Sequence, residues 1–457
     1  MAIFTTLFQI LLFLGALTTA AILIGGRVKR IRQNILLGRD WKPAVGDHSE
    51  RLRNMLLMAV GQKKMFDKPF VGLMHFIIYA GFLLINLEVL EIVLDGLTGQ
   101  HRILGQAMGA LGLGTAYPFI IHFFELIALG VVLSCVVFLA RRNAFQLPRF
   151  HKPEMKGWPE LDANLILIFE IILMGFLYTM NATDAILQSR GVDHYFIESL
   201  GAMQFAVSQL FIPLYQNLDT TSLILLERLA WWLHILGILA FGVYVTYSKH
   251  LHIVLAFPTT YFKDFKPKGE MDSLDTVTKE VKIAMGLIED DGASMENMEE
   301  PARFGAKDVP DLTWKNIMEA YACTECGRCT SQCPANQTGK KLSPRKIMMD
   351  VRDRAEEIGR NQALHGKDYD DGKSLFGDYT TREELMACTT CNACVEACPV
   401  NINPLDIILQ QRRYIAMEEA SVPDSWKSML SNVQNSAAPW AFSPSDRFKW
   451  ADEINND

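Results

Sequence analysis

Trp231-Trp232-Leu233-His234-Ile235 and, further along, Ser248-Lys249-His250-Leu251-His252 lie in one apolar stretch, read as a single transmembrane helix from about Ser222 to Phe257. His234 and His252 are 18 residues apart. At 3.6 residues per turn that is about five whole turns, so both imidazoles point the same way, ~27 Å apart along the axis. The hydrocarbon core of a bilayer is roughly 30 Å thick, so one helix face offers a ligand near each side of the membrane. Ionisable groups are costly there and mark function by default. A lone histidine reads as an interfacial or internally satisfied residue. An in-phase pair, with histidines on other apolar stretches, reads as a ligand set.

Working outward, four more stretches are long and apolar enough to span: about Phe4 to Gly25, Phe70 to Leu94, Tyr117 to Ala140 and Leu161 to Leu187. The first is rich in small residues near Ala16 to Ala21, as a signal peptide is. It lacks a basic leader and is followed at once by Arg27, Lys29, Arg30 and Arg32, so it reads as a retained helix with a cytoplasmic stop. An amphipathic interfacial helix is expected near Arg51 to Val60.

Connector charge sets the topology. Arg27 to Lys68 and Arg141 to Glu160 are rich in Lys and Arg, as is the chain after the last span at Lys263, Lys266 and Lys268. Asp95 to Ala116 holds only Arg102, and Gln188 to Thr221 only Arg190. This alternation places the N-terminus outside and the C-terminal part in the cytoplasm of a cell bounded by an inner membrane. It also makes Phe196 to Tyr215 an outer interfacial or partly buried helix, because a sixth crossing would put the basic tail outside.

From Lys263 the composition turns charged. Residues 263–311 read as a linker with one helix near Ser273 to Ile288, and 312–457 as a soluble domain with helices at Leu342 to Gly359 and Asn403 to Glu418. The fold class is therefore all-α: a five-helix membrane domain over 1–262, joined to an α-helical cytoplasmic domain. The formal net charge is −7 with no basic face, which sets nucleic acid aside as a partner.

Eight of the nine cysteines fall in two runs. Cys323-Thr-Glu-Cys326-Gly-Arg-Cys329-Thr-Ser-Gln-Cys333-Pro334 is repeated as Cys388-Thr-Thr-Cys391-Asn-Ala-Cys394-Val-Glu-Ala-Cys398-Pro399. Three thiolates at two-residue gaps wrap one face of a cubane, and the fourth points to a second one. The expected sets are Cys323, Cys326, Cys329 and Cys398 on one [4Fe-4S] cluster, and Cys388, Cys391, Cys394 and Cys333 on the other. Structural zinc prefers two well-separated ligand pairs and fits poorly. Gly327 is expected to let its loop close on the cluster with N–H groups near sulfide. Clustered thiols also point to a reducing compartment. Cys135, alone in an apolar run, reads as a small core residue.

His250 and His252 differ by ~200° around a helix, so only one faces a given haem. His252, in phase with His234, is preferred. His250 is left for a haem propionate or for support, and Lys249 for snorkelling to head groups. His75, about two turns inside the second span, matches the depth of His252, and the two form the expected axial pair of an inner b-type haem. His122 with His234 is the expected outer pair. His122, Glu125 and Glu170 compete as quinone proton carriers, as does Glu227. His48, His101, His151, His194 and His365 read as surface residues.

The segment from Leu233-His234 to His252-Ile253 resembles the gamma subunit of respiratory nitrate reductase, a five-helix cytochrome b with two histidines at this spacing. The resemblance implies His75 as the inner second-helix ligand and places the other second-helix ligand near Ile85, which departs from the pattern. The two Cys runs, Cys398-Pro399-Val400-Asn401-Ile402-Asn403-Pro404, and Pro439-Trp440, Asp446-Arg447 and Trp450-Ala451 resemble the small cluster subunit of heterodisulfide reductase. The fusion is similar to the membrane-bound electron-transfer flavoprotein:menaquinone oxidoreductase group, in which a cysteine-rich CCG domain follows. That implies a separate CCG-domain subunit that meets the soluble donor, possible contact with electron-transfer flavoprotein, and menaquinone in the membrane. Electrons would run from a cytoplasmic donor through two [4Fe-4S] clusters and one or two b-type haems to quinone. The alternatives are a quinol-oxidising disulfide or sulfur reductase running the other way, and a cluster-bearing membrane anchor or redox sensor without quinone turnover.

Overall fold

The computed structural model describes residues 2–200, 205–289 and 303–456. Five helices are long and apolar enough to cross a membrane: Ala2–Ile35, Pro69–Thr98, Ala116–Asn143, Trp158–Ser189 and Thr220–Val245. They are called the first to fifth spans below. No strand occurs among the described residues. The protein is thus an all-α membrane protein. Each start has a local cause. Pro69 and Pro159 occupy first-turn positions, where a missing N–H costs nothing. Asp219 caps the fifth span by accepting from the N–H groups of Thr221 and Ser222.

The fifth span does not continue to Phe257. It ends at Val245, and the chain turns through Thr246 to Ser248 into a short helical turn, Lys249–Leu251, and a separate helix, His252–Tyr261. The cause lies on another span. Asp162, 1% exposed, accepts from the Ser248 hydroxyl at 2.6 Å and the Lys249 N–H at 3.1 Å, and also bonds the Tyr244 hydroxyl. Ser248 Oγ in turn accepts from the His250 N–H at 3.1 Å. His234 and His252 therefore do not share a helix, and the expected common face does not exist.

Two other expectations change. Phe196 to Tyr215 is not one helix: its described parts are short turns, Glu198–Leu200, Ser208–Leu210 and Ile212–Tyr215. Glu125 holds this segment against the bundle by accepting from the N–H groups of Val207 (2.7 Å) and Ser208 (3.1 Å). The packed C-terminal domain begins before residue 312, because Ala306 and Val309 lie in its core with Ile317, Ile347 and Ile408. The expected helices appear, with shifted ends, as His48–Met55, Asp275–Ala284, Pro344–His365 and Pro404–Met417.

The C-terminal domain is docked on the bundle, not tethered below it. Ile31 of the first span and Leu251 belong to its core. Arg27 pairs with Glu356 at 2.8 Å, and Tyr321 joins the seam by donating to Glu356 (2.5 Å) and accepting from Asn34 (2.9 Å). A Cβ on Gly359 would overlap the Asn34 side chain, so glycine lets the two helices approach this closely.

Candidate functional site

The two cysteine runs build matching loops. Glu325 and Thr390, each just before a second cysteine, have φ of 54° and 55°; Gly327 and Asn392, each just after, have 70° and 61°. These left-handed residues curl each loop so that N–H groups can face sulfur, as with Thr390 N to Cys388 Sγ (3.4 Å), and Asn401, at φ 60°, does the same past the second run for Ile402 N and Cys398 Sγ (3.3 Å). Short helices follow, Arg328–Gln332 and Ala393–Ala397, each ending at the fourth cysteine before a proline. These helices pack on each other. One cavity is lined by Cys323, Cys326, Cys329 and Cys398. On the other side, Cys333, Cys388 and Cys391 lie close to Cys394. Each set of four thus takes three thiols from one run and the fourth from the other. Among the described residues no three His, Cys, Asp or Glu side chains converge on a single-ion site. That suits a cubane, whose ligands stand at the corners of a larger body. Burial pushes the Cys323 thiol up to about 11 and the Cys394 and Cys398 thiols up to about 12.

His75 and His252 face each other with ring centroids 6.4 Å apart. His75 Nδ1 meets Gln62 Oε1 at 2.9 Å, and His252 Nδ1 meets the Lys249 carbonyl at 3.1 Å. With both Nδ1 atoms engaged, both Nε2 atoms are left for a metal, the arrangement that orients ligating imidazoles. Two imidazoles bonded to one iron at about 2 Å each would put their centroids roughly 6–6.5 Å apart, so the pair fits a bis-histidine haem. His250 stands edge-on to His252 at 5.4 Å and tilted against Phe241 at 5.6 Å.

This pair is wired to the first cysteine set through the chain itself. Lys249, between Ser248 and His250, does not reach toward head groups. Its ammonium pairs with Glu325, inside the Cys323–Cys326 loop, and lies 4.0 Å from Asp162. Glu325 is also held by Arg352 at 2.7 Å. On the other side, Lys64 donates to the carbonyls of Glu396 (2.8 Å) and Cys398 (3.4 Å), and its own carbonyl accepts from Arg328 at 2.8 Å. Lys64 is two residues from Gln62, the partner of His75. Sequence reasoning misses Gln62, Lys64, Asp162 and Glu325. The basic segment before the second span signals topology in the sequence and nothing more.

The remaining expected ligands are more scattered. His234 is 1% exposed, with Nδ1 on the Leu173 carbonyl at 2.9 Å. Its surroundings, Leu173, Trp231 and Ile235, form one core cluster with Ile85. His122 follows Ile121 in the third span, whose neighbours Tyr117 and Phe124 pack in a different cluster. Glu125 is a loop anchor, Glu227 is held by Tyr195 (2.8 Å) and Arg228, and Glu170 is half-buried near Cys135. His101 is not a surface residue: it is 8% exposed and lies 3.2 Å from Asp184. His48, His151, His194 and His365 are exposed.

Comparison with known proteins agrees with this architecture. Residues 322–402 match the family model of the 4Fe-4S dicluster domain. The chain is 26% identical over 436 residues to the probable iron-sulfur-binding oxidoreductase FadF of Bacillus subtilis, covering 88% of this chain and 55% of that one. It is 23% identical over 427 residues to the EtfAB:quinone oxidoreductase of Syntrophomonas wolfei, covering 89% and 54%. Over 169 residues it is 31% identical to a probable membrane-anchored ferredoxin of Chromohalobacter salexigens, covering 34% and 25%. The chain spans about half the length of the first two of these relatives. No solved structure matches. The chain thus joins a 4Fe-4S dicluster domain to a bundle of five apolar helices and is similar over most of its length to an iron-sulfur-binding oxidoreductase and to an EtfAB:quinone oxidoreductase.

Proposed function

We propose that the chain carries electrons between a cytoplasmic redox partner and membrane quinone, with menaquinone the quinone implied by the resemblance. The observation that carries this reading is the facing His75–His252 pair, linked through Lys249 and Lys64 to the loops of the first cysteine set. Clusters and a b-type haem, when bound, supply one-electron carriers at successive depths. His75 and His252 would hold such a haem through their Nε2 atoms, and held by two imidazoles it would supply electron transfer rather than oxygen chemistry. The Cys323, Cys326, Cys329 and Cys398 site lies next to this pair. The Cys333, Cys388, Cys391 and Cys394 site is remote from it and includes the exposed Cys391, so the partner docks there. A partner bearing the substrate chemistry, either a CCG-domain subunit or an electron-transfer flavoprotein, fits that position. The basic connectors support a cluster domain in the cytoplasm, an N-terminus outside and a bundle in the inner membrane.

The test is a reduced-minus-oxidised spectrum with iron and haem quantitation. Clusters together with a b-type band support the reading, and purified holoprotein without haem refutes it. His252→Ala should abolish the haem band while leaving cluster iron unchanged. Quinone reduction at the wild-type rate in that variant would refute the assignment.

A further inference from the structure

The half of the bundle far from the clusters buries more acid than base. Glu88, Glu91, Glu125 and Asp184 are 3%, 3%, 0% and 2% exposed. Arg102, 6% exposed, stands among them. Its guanidinium reaches Asp184 (2.8 Å), Asn181 Oδ1 (2.9 Å) and the Tyr117 hydroxyl (3.1 Å). Three of the acids have partners suited to an ionised carboxylate. Asp184 has Arg102 and His101. Glu91 accepts from the N–H groups of Leu104 (3.1 Å) and Gly105 (3.2 Å) and from the Tyr117 hydroxyl (2.5 Å). Glu125 accepts from Val207, Ser208 and Asn181.

Glu88 has no such set. Both of its carboxyl oxygens are buried without a hydrogen-bond partner. Arg102, Glu91, Glu125, Asn181 and Tyr178 lie near it. Asn181 Nδ2 gives one N–H to Glu125 and is close enough to Glu88 to offer the other. An ionised carboxylate so poorly supplied with donors, beside two other carboxylates, carries a large desolvation and repulsion cost; the protonated form does not.

We propose that Glu88 is a proton-binding site of the membrane domain, exchanging with water at the face opposite the clusters. Glu91 lies three residues on along the same helix face, and Tyr117 and Arg102 connect Glu91 to Asp184. Asp184 meets His101, whose ring lies 5.5 Å from that of His194. Both histidines line an open cavity with Gln100 and Gln106. The step is a proton transfer alone: the Glu88 carboxyl gives a proton to water in that cavity, leaves a carboxylate, and takes one back. Its link to electron flow rests on the function proposed above. An electron added to the bundle favours the protonated carboxyl, and its removal favours release.

Infrared spectroscopy of the full holoprotein in lipid tests both parts. In the oxidised protein at neutral pH, a protonated-carboxyl band that downshifts in deuterium oxide should be lost in Glu88→Gln and moved in Glu88→Asp. His101→Gln should keep the band and slow its exchange. Reduction should carry the band to higher pH in wild type. Absence of a protonated-carboxyl band in wild type, or its persistence in Glu88→Gln, would overturn the assignment. An identical pH range in both redox states would overturn the coupling. The oxidised-state signal needs no electron transfer, so it tests Glu88 even if the haem reading fails, and haem content of the same sample reports that failure separately.

Discussion

Replacing Gly327 with alanine separates two costs at the cluster loop. The first is backbone: Gly327 has φ +70°, and a left-handed conformation costs an L-residue about 1–2 kcal/mol. The second is a collision. The new Cβ would lie 2.5 Å from Arg345 Nη1, and Arg345 is 0% exposed with nowhere to retreat. Its guanidinium donates to the Arg149 carbonyl and to Glu154, both at 2.7 Å. Displacing one such charge-assisted bond costs about 1.5–3 kcal/mol. Together these give roughly 3–5 kcal/mol, on the order of a hundred- to several-thousandfold in retention of the cluster at Cys323, Cys326, Cys329 and Cys398. Asn392→Ala is the internal control. That residue occupies the equivalent turn at φ 61° and already carries a Cβ, so alanine there incurs at most the backbone term, a loss of no more than about thirtyfold. The assay is iron release to a chelator, followed by loss of cluster absorbance in the detergent-solubilised protein. Equal iron loss from both variants, or wild-type retention by Gly327→Ala, would refute the assignment of the larger cost to Arg345.

Lys249→Met leaves Glu325 buried with Arg352 as its remaining cation. The seam should weaken by about 3 kcal/mol, the lower end for a broken buried pair. Haem reduction from the clusters should slow while haem content is unchanged, and stopped-flow absorbance measures both. Gly359→Ala should loosen the docked domain by about 1–3 kcal/mol through overlap with Asn34, read as faster proteolysis at the seam. Gly175→Ala, where a Cβ meets nothing within 4 Å, should leave that rate unchanged. Burial holds the empty-site thiols of Cys323, Cys394 and Cys398 protonated at neutral pH, whereas cluster ligands are thiolates. Reconstitution of apoprotein should therefore release protons and tighten as pH rises through the mildly alkaline range. An indicator dye in weak buffer checks this, and pH-independent loading would contradict it.

The parts legible from sequence are those with a local signature. Apolar length marks the spans, and the doubled run of cysteines marks the 4Fe-4S dicluster domain. His75 can be matched to His252 because depth is countable from a span's start. What escapes is non-local. Nothing around Val245 breaks the apolar period. The break is imposed by Asp162, more than 80 residues earlier, and a one-dimensional reading continues the helix through it. Lys249 reads as lipid-facing for the same reason: its partner Glu325 lies in another domain. His101 sits in a connector that reads as surface, yet Asp184 and Arg102 draw it inside.

The break in the fifth span is also what makes the inner histidine pair and the cluster loop one unit. A helix continued past Val245 would carry His252 about 10 Å further along the same axis, at a depth and azimuth set by the fifth span alone. With the chain turned at Ser248, His252 opens a new helix and its ring meets His75 of the second span. The same turn frees Lys249 from helical register to reach Glu325, between Cys323 and Cys326. A buried carboxylate is an expensive way to end a helix, and Asp162 carries that cost through bonds from the Ser248 hydroxyl and the Lys249 N–H. The turn therefore positions two things at once, an imidazole toward the second span and an ammonium toward the cluster loop, so the distance between the histidine pair and that loop is governed by residues that belong to neither.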